Sequence, residues 1–275
     1  MPDLRTRARA TDAGTLSGVE QETVRLGGMA LQNGVLVHGP TAWGAAVRDA
    51  NGELHVASGM KPRFADSVRT PVLRGPLRLA EAFSLLPVVR RALPQARFPF
   101  ERPAVLGSMV ASSVAARALR RPGRSAGGRE LVAGAVTLLP AALALRGPDL
   151  AEYHGAEHVS IGTYENGGER APKEHPRCGS QLIAPMLASS LAANVAVARV
   201  PAAARGLARL LGTTAAIGAS IEVFAWMARN PEHRVARALA RPGYELQKRF
   251  STAEPSEAQV EVANAARDAC LALER

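Results

Sequence analysis

Between Tyr153 and Ser180 the chain reads YHGAEHVSIGTYENGGERAPKEHPRCGS, which gathers His154, Glu157, His158, Glu165, His175 and Cys178 in a protein with six histidines and two cysteines. Imidazole, thiolate and carboxylate are the donors of a zinc-type centre. His154 and His158 are four residues apart, so a helix places both imidazoles on one face, where they can converge on a single ion. The Gly- and Pro-rich run after them is able to fold His175 and Cys178 back towards the pair. Two histidines with one further donor and an open position would be a catalytic centre, whereas four protein donors would close it as a structural one. The bland alternative is one or two surface histidines capping a helix, because this spacing arises often by chance.

With Glu157 between them the histidines spell H-x-x-E-H. That is the order of the inverzincin metallopeptidases, in which two histidines bind zinc and the glutamate activates water. On this reading Glu157 is the catalytic general base, and the metal ligands come from His154, His158, His175, Cys178, Glu165 and Glu222. The expected cofactor is a divalent metal ion, zinc above all. Glu222 lies in an otherwise apolar run, where an unpaired carboxylate is costly. It is either a downstream ligand facing the histidines or the partner of one of the many arginines. Glu165 is a ligand, an outer partner of a histidine, or an ordinary loop acid. Cys178 is a thiolate ligand or a small core residue. His38 and His55 fall in a β-rich part and His233 at a helix start, where they read as structural or surface groups.

The elements that must hold these residues are built from small apolar side chains. Aromatics make up only 4% of the chain, while Ala, Gly and Pro are abundant, which suits closely approaching helices. The formal charge of +10 is carried by 31 Arg and 3 Lys. These cations are spread along the chain without stacking aromatics between them, so no nucleic-acid partner is expected. Anionic lipid headgroups fit such charge better. Cys178 and Cys270 are too far apart in sequence to suggest a disulfide framework. Gly179 to Ala198 is uncharged, and Leu210 to Ala228 carries only Glu222; both are long enough to cross a bilayer, while Leu131 to Leu145, with Pro140, is short. Against this, a mean hydropathy of −0.02 is low for a multi-pass protein. A soluble domain with buried Ala-rich helices is the competing reading.

Residues 1–21 lack the apolar run of a signal peptide and read as a disordered tail. Residues 22–75 read as a small β-rich segment. There GGMALQNGVLVHGP is one Gly-punctuated strand, followed by a hairpin of Trp43–Arg48 and Glu53–Ser58 through Asn51-Gly52. A Pro- and Arg-rich connector runs from Lys61 to Arg78. Residues 76–250 form a helical, membrane-associated body that contains the His/Glu/Cys centre. It has helices at 79–93 and 104–120, a loop at 120–130 and a short apolar helix over 131–145. Residues 251–275 form a C-terminal amphipathic helix that packs on the body, with Val262, Ala266, Ala269 and Leu273 on one face. The expected fold is mainly α with a small N-terminal β unit: an α-helical membrane-associated bundle with a β-hairpin-containing N-terminal segment.

Taken together, YHGAEH, YENG and HPRCGS resemble the bacterial family named domain of unknown function 1385 (DUF1385), whose members carry the label "predicted metal-dependent enzyme". GGMALQNGVLVHGPTAWGAAVRDANGEL and PGYELQKRFSTAEPSEAQVEVANAA are similar to its N- and C-terminal blocks, so the resemblance covers most of residues 25–270. It implies a multi-pass protein of the bacterial cytoplasmic membrane with its centre near a membrane surface. By motif it carries over His154, Glu157, His158, Glu165, His175, Arg177 and Cys178, with Glu222 where the family has a late Glu. The chain departs from the family pattern in the short region before YHGAEH, at Val159 in place of a lysine, and at His38. The expected function is a membrane-associated metal-dependent enzyme, most simply a hydrolase. The alternative is a non-catalytic membrane protein whose His154, His158, His175 and Cys178 close a structural zinc site that serves interaction or assembly. A soluble helical module without metal is the third reading. The substrate stays open, and the candidate partners are membrane lipids and a second copy of the chain.

Overall fold

In the computed structural model residues 23–119, 126–137, 139–144 and 149–274 are described. The tail expected over 1–21 and the first half of the loop expected at 120–130 lie outside them. Four strands, β1 (Gly27–Leu31), β2 (Gly34–His38), β3 (Ala42–Arg48) and β4 (Leu54–Met60), form one antiparallel sheet in sequence order. The hairpin expected through Asn51-Gly52 is present, with Gly52 at φ 85° and Arg48 opposite Leu54. The stretch expected as one strand is two, because Gln32 and Asn33 turn β1 back onto β2 so that Leu31 faces Gly34. The Asn33 side chain donates to the Arg48 and Gln95 carbonyls and accepts the Arg97 amide. Tertiary partners, not a turn glycine, fix this bend.

Both faces of the sheet are covered, so alternation along the strands feeds two cores. Val35, Val37, Ala42 and Ala46 meet Leu150, Tyr153 and Ala156 of α5 (Leu150–Glu165) and Val262, Ala263, Ala266 and Cys270 of α9 (Glu257–Leu271). Leu36, Trp43, Ala45 and Val47 meet Leu85 and Val89 of α1 (Pro71–Ala92) on the opposite face. The helix that carries His154 and His158 therefore lies beside the C-terminal helix on the N-terminal sheet. On α9 Val262 and Ala266 are buried, while Ala269, and Leu273 just beyond its end, sit at the margin. The helix is started by a capping box between Ser256 and Gln259.

α1 begins at Pro71, so the connector is shorter than expected; proline is well placed in a first helical turn, where its missing N–H has no partner to lose. α2 (Pro103–Leu119) falls where a helix was expected. α3 (Ala126–Thr137) takes over the end of the expected loop, and with α4 (Leu139–Ala144) it falls where an apolar helix was expected over 131–145. α6 (Ile183–Ala198) and α7 (Arg205–Arg229) form a helical hairpin, with Ser220 against Met186 and Gly212 against Val197. Gly179–Ala198 and Ala202–Arg229 are long and apolar enough to cross a membrane. Large apolar side chains stand exposed on α2 (Leu106, Met109, Val110, Val114) and α7 (Leu207, Leu210, Leu211). α8 (Arg234–Leu246) follows and runs into a single π-helical turn, Gln247–Ser251.

Candidate metal centre

α5 brings His154 and His158 one turn apart, with ring centroids separated by 4.5 Å. His154 Nδ1–H donates to the Ser251 carbonyl at 2.8 Å, and His158 Nδ1–H to the Lys173 carbonyl at 2.6 Å. A carbonyl can only accept, so each Nδ1 carries a proton, and in the neutral ring each Nε2 is left with its lone pair. Metal-ligating histidines are oriented in just this manner by an outer oxygen. Cys178 Sγ lies 3.4 Å from His154 Nε2, and the donor atoms of His154, His158 and Cys178 all fall within 4.8 Å of one another. Ligands of a tetrahedral zinc ion stand about 3.3–3.8 Å apart, so small side-chain shifts would complete the set. His158 is 2% exposed, and its Nε2 is buried with no hydrogen-bond partner among the described residues. Leaving such an atom unpaired costs about 1–3 kcal/mol, and a cation between the three donors would remove that cost. Burial pushes the His158 pKa down, and the neighbouring His154 adds to this against the opposing pull of Cys178 and the Lys173 carbonyl. The ring is thereby held in its neutral, ligating form.

His175, expected as a third ligand, is committed elsewhere. Its Nδ1 accepts the Arg177 amide at 3.3 Å, and its Nε2–H donates to Glu165 Oε2 at 3.2 Å. Its ring stands 5.6 Å from that of His158, so it backs the cluster, and the third donor atom beside His154 and His158 is the Cys178 sulfur. Glu165, also expected as a ligand, is shared between His175 and the Arg177 guanidinium. Burial pushes its carboxyl upward, but the hydrogen bond from His175 and the Arg177 charge outweigh this and hold its pKa below the ordinary value. Glu222 is not among the converging groups. It lies on α7, 3.8 Å from Arg74 of α1, with both side chains well exposed. A second grouping of Asp49, Glu53 and His55 is accounted for by the β3–β4 turn, where Asp49 accepts the Asn51 and Glu53 amides and pairs with His55.

Glu157 packs beneath β1 and is 6% exposed. Gly28 leaves the room it occupies, since a Cβ there would stand 2.6 Å from Glu157 Oε1. Burial pushes its carboxyl pKa up, partly offset by His154 and His175. Gly155 allows a second close approach. A side chain there would collide with the Ala253 carbonyl, and Ala253 N–H donates to the Ala151 carbonyl at 2.9 Å. That contact carries the Ser251 carbonyl to His154. The π-helical turn points Gln247 and Ser251 inward together, a local irregularity frequent at functional sites. The Gln247 side chain binds both backbone groups of His175 and donates to Ser180 Oγ at 2.8 Å. Sequence reasoning missed Gln247 and the backbone roles of Ser251 and Lys173. Only the Gln of the YELQ block hinted at the first. Beside Glu165 and Arg177, an open cleft of about 690 Å³ continues to Arg25 and Glu274.

Fold and site together define a class: a sheet-backed helix pair presenting two imidazoles and one thiol at the foot of an apolar helical hairpin. Residues 148–273 match the family described as "Protein of unknown function (DUF1385)". This segment, which spans α5 to α9 and includes every group of the centre, belongs to the DUF1385 family. No curated protein and no solved structure matches the chain.

Proposed function

We propose that the protein is a membrane-associated metal-dependent enzyme of the hydrolase class. His154, His158 and Cys178 would hold a zinc-type divalent ion, and Glu157 would move the proton. The observation that carries this reading is the convergence of three donors whose two imidazoles are already oriented by carbonyls, with His158 Nε2 buried and unpartnered. Two imidazoles and a thiolate are a zinc donor set, and when bound the ion supplies Lewis acidity to a carbonyl or phosphoryl group. Three protein donors is the number at which such a site keeps an open position, and the commitment of His175 to Glu165 and the Arg177 amide supports that number. Burial raises the Glu157 pKa, the direction expected of a carboxyl that exchanges a proton with substrate. Association with the bilayer is supported by the two apolar helical stretches and by the exposed apolar residues of α2 and α7. Cys178 immediately precedes the first of these stretches, so a membrane that accepts the hairpin meets the centre at its surface.

The test is metal analysis of the full-length protein purified in detergent, with hydrolysis measured on ester and phosphoester panels. One equivalent of metal is expected, and it is lost in His158→Ala and Cys178→Ala. Glu157→Gln is expected to keep metal and fold while losing turnover. Absence of stoichiometric metal would overturn the reading as a whole. Unchanged turnover in Glu157→Gln would overturn the role of Glu157 alone.

A further inference from the structure

We infer that α8 is an interfacial anchor: an amphipathic helix that lies on the anionic headgroup surface of the bilayer and holds the His/His/Cys centre there. This rests on the membrane reading of the α6–α7 hairpin. It goes further by assigning the element that meets the headgroups and the lipid charge it requires.

The helix reads RVARALARPGYEL, with Arg234, Arg237 and Arg241 at three- and four-residue intervals and therefore on one face. All three are exposed, whereas Ala236 and Gly243 are buried against the foot of the hairpin. Gly243 is seated on the Ser180 carbonyl, in the turn that leads into α6. Arg237 reaches Glu232 at 3.7 Å, while Arg234 and Arg241 have no acidic partner among the described residues. Flanking this basic face, Val235 is 52% exposed and Tyr244 45%, and Phe250, in the turn that follows the helix, is 67% exposed. Trp226, in the last turn of α7, packs edge-on against His233 at the start of α8, with centroids 5.1 Å apart.

In water, unpaired arginines beside bare apolar side chains have no common cause. At a headgroup surface they have one. The guanidinium groups reach lipid phosphates, and the aromatic and aliphatic groups enter the acyl boundary. The turn at the other end of the hairpin carries only Arg199 and Arg205 beside its alanines. The surplus of cations at the α8 end, which Lys248 and Arg249 extend, assigns that end and the centre to the cytoplasmic face. α8 passes directly into the Gln247–Ser251 turn, whose groups orient His175 and His154. The anchor and the centre are therefore one continuous piece of structure.

The experiment reconstitutes the full chain into phosphatidylcholine vesicles with or without a quarter phosphatidylglycerol, using lipids brominated near the headgroup end of the acyl chain. Trp43 is buried against the sheet core, so quenching of Trp226 reports the hairpin. Tyr244→Trp in a Trp226→Phe background reports α8. Both indoles are expected to be quenched, the α8 probe roughly twofold or more strongly when phosphatidylglycerol is present. The R234Q/R237Q/R241Q variant, with unchanged helicity and metal content, is expected to lose that gain. Quenching of Trp226 without quenching at position 244 would overturn the anchor while leaving the membrane reading intact. Equal quenching of the α8 probe in both vesicles would overturn its dependence on anionic lipid. No quenching of Trp226, with release of the protein by alkaline carbonate, would remove the membrane reading and the anchor with it.

Discussion

Gln247 grips His175 from both sides: its side-chain oxygen accepts the His175 amide N–H at 2.7 Å, and its amide donates to the His175 carbonyl at 3.2 Å. One buried carboxamide thus does for this loop what a strand partner does in a sheet, and it fixes the segment that delivers Lys173 and Cys178 to the histidines. Gln247→Leu leaves two buried backbone groups unpaired, at about 1–3 kcal/mol each. The expected outcome is a lower unfolding temperature and zinc affinity weakened about 10- to 100-fold, read by chelator competition. Unaltered affinity would disconnect the loop from the centre.

His158 and His175 should separate as ligand and support. His158→Ala removes a donor, so the purified protein is expected to hold no stoichiometric zinc. His175→Ala removes only the ring that bridges Glu165 and backs His158, so zinc still loads to one equivalent at saturation, with affinity lowered about tenfold or more. Titration with metal under a competing chelator distinguishes the two. Complete loss in His175→Ala would promote it to a ligand.

Gly155→Ala places a methyl against the Ala253 carbonyl. Backbone cannot yield as a side-chain tip does, so the segment after Ser251 must shift, at typically 1–3 kcal/mol. Because that shift draws the Ser251 carbonyl away from His154, zinc affinity is expected to fall together with thermal stability. A stable variant with intact affinity would show that the close approach does not position His154.

Acid should weaken the sheet as well as the centre. Burial lowers the His38 pKa from 6.5 to about 4, and Lys61 adds to the effect. Between those values the unfolded chain binds a proton that the folded chain does not. The stability at stake is fully present above pH 6.5 and is lost progressively as pH falls towards 4, up to about 3 kcal/mol. Unfolding midpoints measured across this range should decline less steeply in His38→Gln than in the parent. Parallel profiles would exclude His38 as a source.

The paired histidines of α5 were legible because helical spacing is a local property, and so was the Asn51-Gly52 hairpin. The identity of the third donor was not. His175, Cys178, Glu165 and Glu222 are equivalent candidates by composition, and His175 is set apart by the backbone grip of Gln247, which comes from far along the chain. The β1–β2 turn escaped notice for the same reason, since Asn33 is held by Arg48, Gln95 and Arg97. Glu222 illustrates the converse: its partner Arg74 was one arginine among 31, and only packing of α1 on α7 selects it.

The hydrogen bond from His154 to the Ser251 carbonyl joins residues 97 apart, and Ser160 on the same helix bonds to Asn264 at a separation of 104. The apolar hairpin lies between. As the chain leaves the ribosome, the histidines, the thiol and the Lys173 carbonyl that orients His158 therefore appear first, and the Ser251 and Gln247 groups come only after the hairpin has been made. A chain that stops short of Ser251 carries the donors without the carbonyl that accepts from His154 Nδ1, so the His154 side of the cluster is fixed only once the hairpin has been made.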